Sequence, residues 1–97
     1  MRHYYVYILE CRDKSFYVGV CNNIDRRVEE HETGYIIGCY TFKRRPLKLV
    51  YYEDFYNISE AIEREKQVKK WSRAKKKALI EGDWEELKQL SKCRAKL

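Results

Sequence analysis

The run Tyr4-Tyr5-Val6-Tyr7-Ile8-Leu9 is followed by the polar Arg12-Asp13-Lys14 and then by Ser15-Phe16-Tyr17-Val18-Gly19-Val20. Two apolar runs joined by a short polar loop predict a β-hairpin. The first run is apolar on both alternating faces, Tyr5, Tyr7 and Leu9 on one and Tyr4, Val6 and Ile8 on the other. A strand covered on both sides reads this way, so the run through Cys11 is placed centrally in its sheet. In the second run Phe16, Val18 and Val20 share one face, and Tyr17 and Gly19 the other. Gly19 removes side-chain bulk beside Tyr17, and a glycine inside a strand marks a bulge or a close approach.

The pattern then turns helical. Asn22 or Asn23 suits an N-cap, Asp25 suits the first turn, and Gly34 suits the stop. At about 100° per residue, Ile24, Arg27, Val28 and His31 form one stripe while Arg26 points away. An apolar stripe interrupted by arginine and histidine has two readings. In one, Arg27 snorkels past the core edge and His31 is a satisfied, partly buried histidine. In the other, the pair is chemical. Gly34 to Pro46 reads as a loop carrying Lys43-Arg44-Arg45, either a solvated charge run or a phosphate grip. Leu47 to Phe55 reads as a third strand.

Ser59 or Asn57 caps the next predicted helix, whose apolar stripe is Ile58, Ala61, Ile62 and Val68. Glu60, Glu63 and Arg64 are expected to face away, but Glu65 falls inside the stripe. A carboxylate on the core side of a helix is costly unless paired, protonated or bound to a cation. A cation ligand and a buried salt bridge to arginine are the two options for Glu65. The segment onward is basic, with Lys69, Lys70, Arg73, Lys75, Lys76 and Lys77 around Trp71. Docking in the core is the preferred reading for Trp71, and stacking on nucleic acid is the alternative. Ser72 caps a short helix ending near Gly82, and Asp83 with Glu86 opens a last helix carrying Trp84, Leu87 and Leu90. Lys92 to Leu97 is a frayed basic tail.

The 97 residues suffice for one small domain, expected over 1–82, with residues 83–97 as a C-terminal helix and tail on the same body. A hydrophobic share of 44% excludes a disordered chain. The net charge of +6 favours a polyanionic partner, nucleic acid first. No secretory signal and no membrane-spanning run is read in the sequence. Cys11, Cys21, Cys39 and Cys93 have no CxxC spacing, which speaks against zinc and for free thiols in a reducing cytoplasm.

These residues, taken together, resemble the GIY-YIG endonuclease superfamily, in particular its small single-domain bacterial members. Tyr5-Val6-Tyr7 stands at the first tripeptide, with Tyr5 in place of glycine, and Tyr17-Val18-Gly19 matches the second. Arg27 and His31 match positions on the first helix, and Glu65 matches the metal-binding glutamate. The likeness extends to Tyr40-Thr41, to Arg44-Arg45-Pro46 and along Glu63-Arg64-Glu65-Lys66-Gln67 into Trp71-Ser72-Arg73-Ala74-Lys75-Lys76. Val20 and Lys77 depart from it, standing where some relatives carry lysine and asparagine.

The resemblance implies an α/β (α+β) fold with a small, mainly antiparallel three-stranded sheet flanked by helices. It implies a DNA endonuclease that hydrolyses phosphodiesters with one divalent ion, Mg2+ or Mn2+, held by Glu65. The expected catalytic set is Tyr7, Tyr17, Arg27, His31 and Glu65. Arg27 would hold phosphate oxygens, Tyr17 would act as the base with Tyr7 helping, and His31 would orient Tyr17 or relay a proton. Lys43, Arg44, Arg45, Lys69, Lys70, Arg73, Lys75 and Lys76 are the expected nucleic-acid contacts. Cleavage would be structure-selective or weakly sequence-selective, in DNA repair or recombination, with a protein partner for targeting. The rival expectation is a module that binds DNA or RNA and cuts slowly or not at all.

Overall fold

The computed structural model describes residues 3–33 and 44–85. The elements run β1 (Tyr4–Glu10), β2 (Phe16–Cys21), α1 (Ile24–Thr33), β3 (Lys48–Phe55), α2 (Ile58–Lys69) and α3 (Arg73–Glu81). The expectations for Gly34, Lys43, Tyr40-Thr41, Cys39, Cys93, Glu86, Leu87, Leu90 and the basic tail fall outside the described residues. The fold is the expected α+β sheet with three helices.

The strands form one antiparallel sheet in the order β2-β1-β3, so the doubly apolar β1 is central. The β1–β2 hairpin closes through the expected polar joint. Asp13 Oδ1 accepts from the backbone N–H of Ser15 at 3.1 Å and from its hydroxyl at 2.5 Å, while Lys14 takes a positive φ of 70°.

Alternation sends β1 side chains into two layers. Val6 and Ile8 join Val18, Ala61, Val68, Trp71 and Leu79 in one core, beneath α2 and α3. Tyr7 and Leu9 join Leu47 and Cys11 in the other, with Ile24 and Val28 of α1 packed against it. A β-bulge keeps β3 in step with both. Ile8 pairs with Tyr51 and Leu9 with Leu49, so Val50 is the extra residue. The bulge lets Val50 and Tyr51 both pack into the first layer while Leu47 and Leu49 serve the second.

The bulge also turns Glu53 toward α2. Arg64 clamps its carboxylate with two bonds of 2.9 and 3.0 Å, and the Tyr51 hydroxyl donates to it at 2.5 Å. Arg64 therefore does not face away as expected. The buried face of α2 runs through Ala61, Arg64, Glu65 and Val68, rotated by about 45° from the apolar stripe at 100° per residue. Ile58 and Ile62 are left exposed. The charged residues take the inner positions because they find partners there: Glu53 for Arg64, and Lys69 for Glu65 at 2.8 Å. The option of arginine as the partner of Glu65 is thus corrected to lysine.

Asn57, rather than Ser59, caps α2 by accepting from the Ser59 N–H at 2.8 Å. Ser72 caps α3, and Gly82 closes it in the left-handed conformation. Trp71 is buried as expected, with the guanidinium of Arg64 5.0 Å from its ring and the ammonium of Lys75 4.2 Å from it. Among the described residues, no helix is long and apolar enough to cross a membrane.

The Glu53 clamp gives the fold an acid-sensitive joint. Burial alone would raise this carboxyl, but the Arg64 fork and the Tyr51 hydroxyl outweigh it and hold it below 4.5. A folded pKa below the unfolded value stabilises the fold above the unfolded value, and that contribution is lost as pH falls through the folded one. Urea unfolding at stepped pH should show stability declining below about 4.5, and Glu53→Gln should flatten that decline. Arg64→Ala at pH 7 should cost about 1–3 kcal/mol, since it strands a half-buried carboxylate. An unchanged midpoint would contradict the joint.

Candidate active site

Tyr7 and Gly19 are direct cross-strand partners. A Cβ on Gly19 would lie 2.5 Å from the Tyr7 hydroxyl oxygen and 2.6 Å from its Cζ. The phenol ring thus lies across bare backbone, and the room made by Gly19 serves Tyr7 instead of the expected Tyr17. Any side chain at position 19 would push the ring off.

So placed, the Tyr7 side chain is buried and its hydroxyl points at α1. It shares a hydrogen bond of 3.1 Å with His31 Nε2 and feels the Arg27 guanidinium beside it. The Tyr17 ring lies 6.3 Å from that of Tyr7 and meets His31 edge-on at 5.1 Å. Asn23 starts α1 by accepting from the Arg26 N–H at 3.0 Å, which fixes the phase of the helix. That phase aims Ile24, Val28 and His31 at the sheet, with Arg27 at the margin. The two readings of the stripe are both realised: His31 is a satisfied buried histidine, and it belongs to a chemical cluster.

Electrostatics separates the roles. Burial, then the neighbouring Tyr17, pushes the Tyr7 hydroxyl well above the ordinary phenol value. Tyr7 therefore stays protonated and cannot serve as a base. Burial and the Arg27 charge hold His31 below the ordinary 6.5, so the ring is neutral at pH 7. Arg27 keeps its charge, pairs with Glu30 at 3.3 Å, and remains about one-third exposed. The cluster is a fixed cation beside a protonated phenol, with the partly exposed Tyr17 at its rim.

Glu65 comes from elsewhere. It stands on α2, in the layer on the opposite side of the sheet, its side chain only 12% exposed. The structure brings Tyr7, Tyr17, Arg27 and His31 together but not Glu65, which stands on the other side of the sheet. No group of three or more His, Cys, Asp or Glu side chains forms a cation cage among the described residues. A cation here would have one carboxylate and otherwise water or substrate oxygens, the coordination that suits Mg2+.

The expected nucleic-acid contacts divide by their engagement. Arg44 bonds Asp13 at 3.1 Å, and Arg45 donates to the Glu32 carbonyl at 3.2 Å, at the end of α1. Glu32 Oε1 in turn accepts from the Leu47 N–H at 2.7 Å, which ties the start of β3 to that helix. Arg73 donates to the Lys14 carbonyl and lies 4.7 Å from the Phe16 ring centre. Lys69 holds Glu65, while Lys70 is exposed. Lys75 is buried against Trp71, which corrects its place on an open basic surface. Burial holds the Lys76 ammonium below its ordinary pKa. The Glu53–Arg64–Tyr51 network escaped the sequence reading because only the bulge brings it together.

Known proteins share the sequence and fold of this chain. The profile of the GIY-YIG catalytic domain matches residues 3–78. A UPF0213 protein of Syntrophus aciditrophicus is 47% identical over 86% of this chain and 95% of its own. A UPF0213 protein of Clostridium perfringens is 48% identical over 78% of this chain and 81% of its own. The solution structure of a UPF0213 protein of Bacillus halodurans superposes with a TM-score of 0.54 at 42% identity, covering 81% of this chain and 83% of its own. That of an E. faecalis protein gives 0.59 at 34% identity, covering 84% and 86%.

Gly19→Ala should cost about 1–3 kcal/mol in urea unfolding, as overpacking does. Combined with Tyr7→Ala it should cost clearly less than the sum, because the clash partner is gone. An additive pair would contradict the contact. An NMR pH titration should place the His31 imidazole below 6.5, and a value at or above it would contradict the burial and the Arg27 charge.

Proposed function

The chain belongs to the GIY-YIG catalytic domain family, and on that ground we propose that it is a nuclease, specifically a metal-dependent DNA endonuclease. The observation that carries the proposal is the meeting of Tyr7, Tyr17, Arg27 and His31 around one hydrogen-bonded phenol. Phosphodiester hydrolysis needs an activated water, a counter-charge for the phosphoryl oxygens and a stabilised leaving oxygen.

Arg27 supplies the counter-charge. Its guanidinium fork matches two non-bridging oxygens and stays charged throughout. Tyr7 and Glu30 hold that fork in place. Tyr17 Oη takes the proton of the attacking water as the new P–O bond forms and the scissile P–O bond breaks. A phenol is a base only as phenolate, so this step needs Tyr17 ionised. His31 fixes the Tyr17 ring by its edge contact and is a positioning residue. Glu65 would hold the divalent cation, Mg2+ or Mn2+, which when bound neutralises the developing charge on the leaving oxygen.

Lys70 and the positive charges of Arg44, Arg45 and Arg73 would face flanking phosphates. Arg44 and Arg73 are tied to the hairpin and Arg45 to α1, which gives a rim for DNA, the favoured nucleic acid. The positive charge of the chain supports that assignment.

One observation favours a second reading, a module that binds nucleic acid without cutting it. Lys69 already neutralises Glu65 at 2.8 Å, the service that a cation would otherwise perform.

A panel of labelled single strands, nicked duplexes, flaps, branched DNA and structured RNA, with Mg2+ or Mn2+, separates the two. The nuclease reading expects cleavage of at least one substrate. It expects Tyr17→Phe and Glu65→Gln, both folded, each to lower the rate by about 100-fold or more. Binding without cleavage, unaltered by both substitutions, would establish the module instead.

A further inference from the structure

Beside the tyrosine cluster, on the α1 face of the sheet, lies a row of aromatic rings that the proposed chemistry does not use. His3 stacks on Tyr5 at 6.3 Å between ring centres and meets Tyr56 at 4.8 Å. Tyr5 meets Tyr52 edge-on at 6.1 Å. The row is half in water: Tyr52 is 56% exposed and Tyr56 70%. It borders a cleft of about 420 Å3, with Tyr5, Tyr52 and Leu49 on one side and Asn22, Asn23 and Asp25 on the other. That volume lies within the range of small-ligand sites.

Position and charge indicate what belongs there. Tyr52 is the cross-strand partner of Tyr7, so the row begins beside the ring that carries the candidate active site. Asp25 lines the cleft, and Asp54 lies 3.9 Å from His3 at the other end of the row. Two carboxylates repel a phosphate but not an uncharged base. The Asn22 carbonyl oxygen is turned to Arg26 at 3.4 Å, which leaves its amide N–H groups as donors for a base edge. Aromatic rings with one open face accept any nucleobase by stacking. A base paired inside a duplex has its faces covered and cannot use them.

We propose that the row Tyr56–His3–Tyr5–Tyr52 and its cleft form a stacking site for an unpaired nucleobase, so that the substrate of the adjoining active site is DNA with an unpaired nucleotide next to the scissile phosphate. The substrate part of this inference rests on the nuclease reading above; the stacking site itself does not.

The test is equilibrium binding with EDTA present, which keeps cleavage out of the measurement. The probe is a deoxyoligonucleotide carrying 2-aminopurine, free or annealed into a blunt duplex. Wild-type protein should bind the free strand about tenfold more tightly than the duplex and quench its 2-aminopurine, as stacking does. Tyr52→Ala and Tyr56→Ala should each weaken free-strand binding by about fivefold or more and reduce the quenching, with duplex binding unchanged. Tyr52→Phe should retain both. Both rings are exposed, so a retained unfolding midpoint is expected in every variant. Wild-type affinity and quenching in both alanine variants would overturn the site. A change in self-association by sedimentation, with oligonucleotide binding unchanged, would also overturn it and make the row a contact between two copies. Glu65→Gln keeps the stacking site intact: lost cutting with retained quenching supports both readings. Absent cutting by wild type, with quenching that depends on the rings, defeats the nuclease reading and leaves the stacking site standing.

Discussion

The phenol of Tyr7 lies on the backbone of Gly19, and the candidate site depends on that contact. The ring fills the space a side chain at position 19 would need. Its hydroxyl is thereby carried to the surface of α1, where His31 and Arg27 receive it. Burial then decides the chemistry: the phenol keeps its proton, the imidazole stays neutral, and Arg27 is the fixed cation of the cluster. Tyr7 positions the charge, and Tyr17 is left as the partly exposed tyrosine of the pair.

The sheet divides the labour between its faces. One face meets α1 and holds the aromatic cluster; the other meets α2, which carries Glu65. What holds α2 in its phase is the Glu53–Arg64 clamp, made possible by one extra residue at the β3 bulge. The same clamp brings Arg64 over Trp71, with Lys75 close by. Charged groups at the inner positions of α2 thus serve both as packing and as electrostatic fastening.

Much of this was legible in the residues. The doubly apolar Tyr4–Leu9 run is the central strand because only a strand covered on both faces tolerates that pattern. Asn22-Asn23, Ser72 and Gly82 marked helix ends because caps act locally. What escaped was non-local. Gly19 reads as making room for its own neighbour, Tyr17, but its partner Tyr7 lies across the ladder, and register is invisible in one strand alone. Hydrophobicity alone puts the stripe of α2 through Ile58 and Ile62, whereas the helix turns toward partners for Arg64 and Glu65. Those partners lie on a strand displaced by a bulge and one turn further along the helix. Lys75 reads as one of a basic run, yet its ammonium has an aromatic face to rest on.

On the nuclease reading, Glu65 and the tyrosine cluster, arising on opposite faces of the sheet, serve one site. Paramagnetic broadening by Mn2+ in isotope-labelled protein, with a non-hydrolysable phosphodiester present, tests it most directly. The side-chain and backbone signals of Glu65, Tyr17 and Arg27 should broaden together at low Mn2+, and Glu65→Gln should abolish the effect at all three. Broadening confined to Glu65, with Tyr17 and Arg27 untouched, would contradict a shared site.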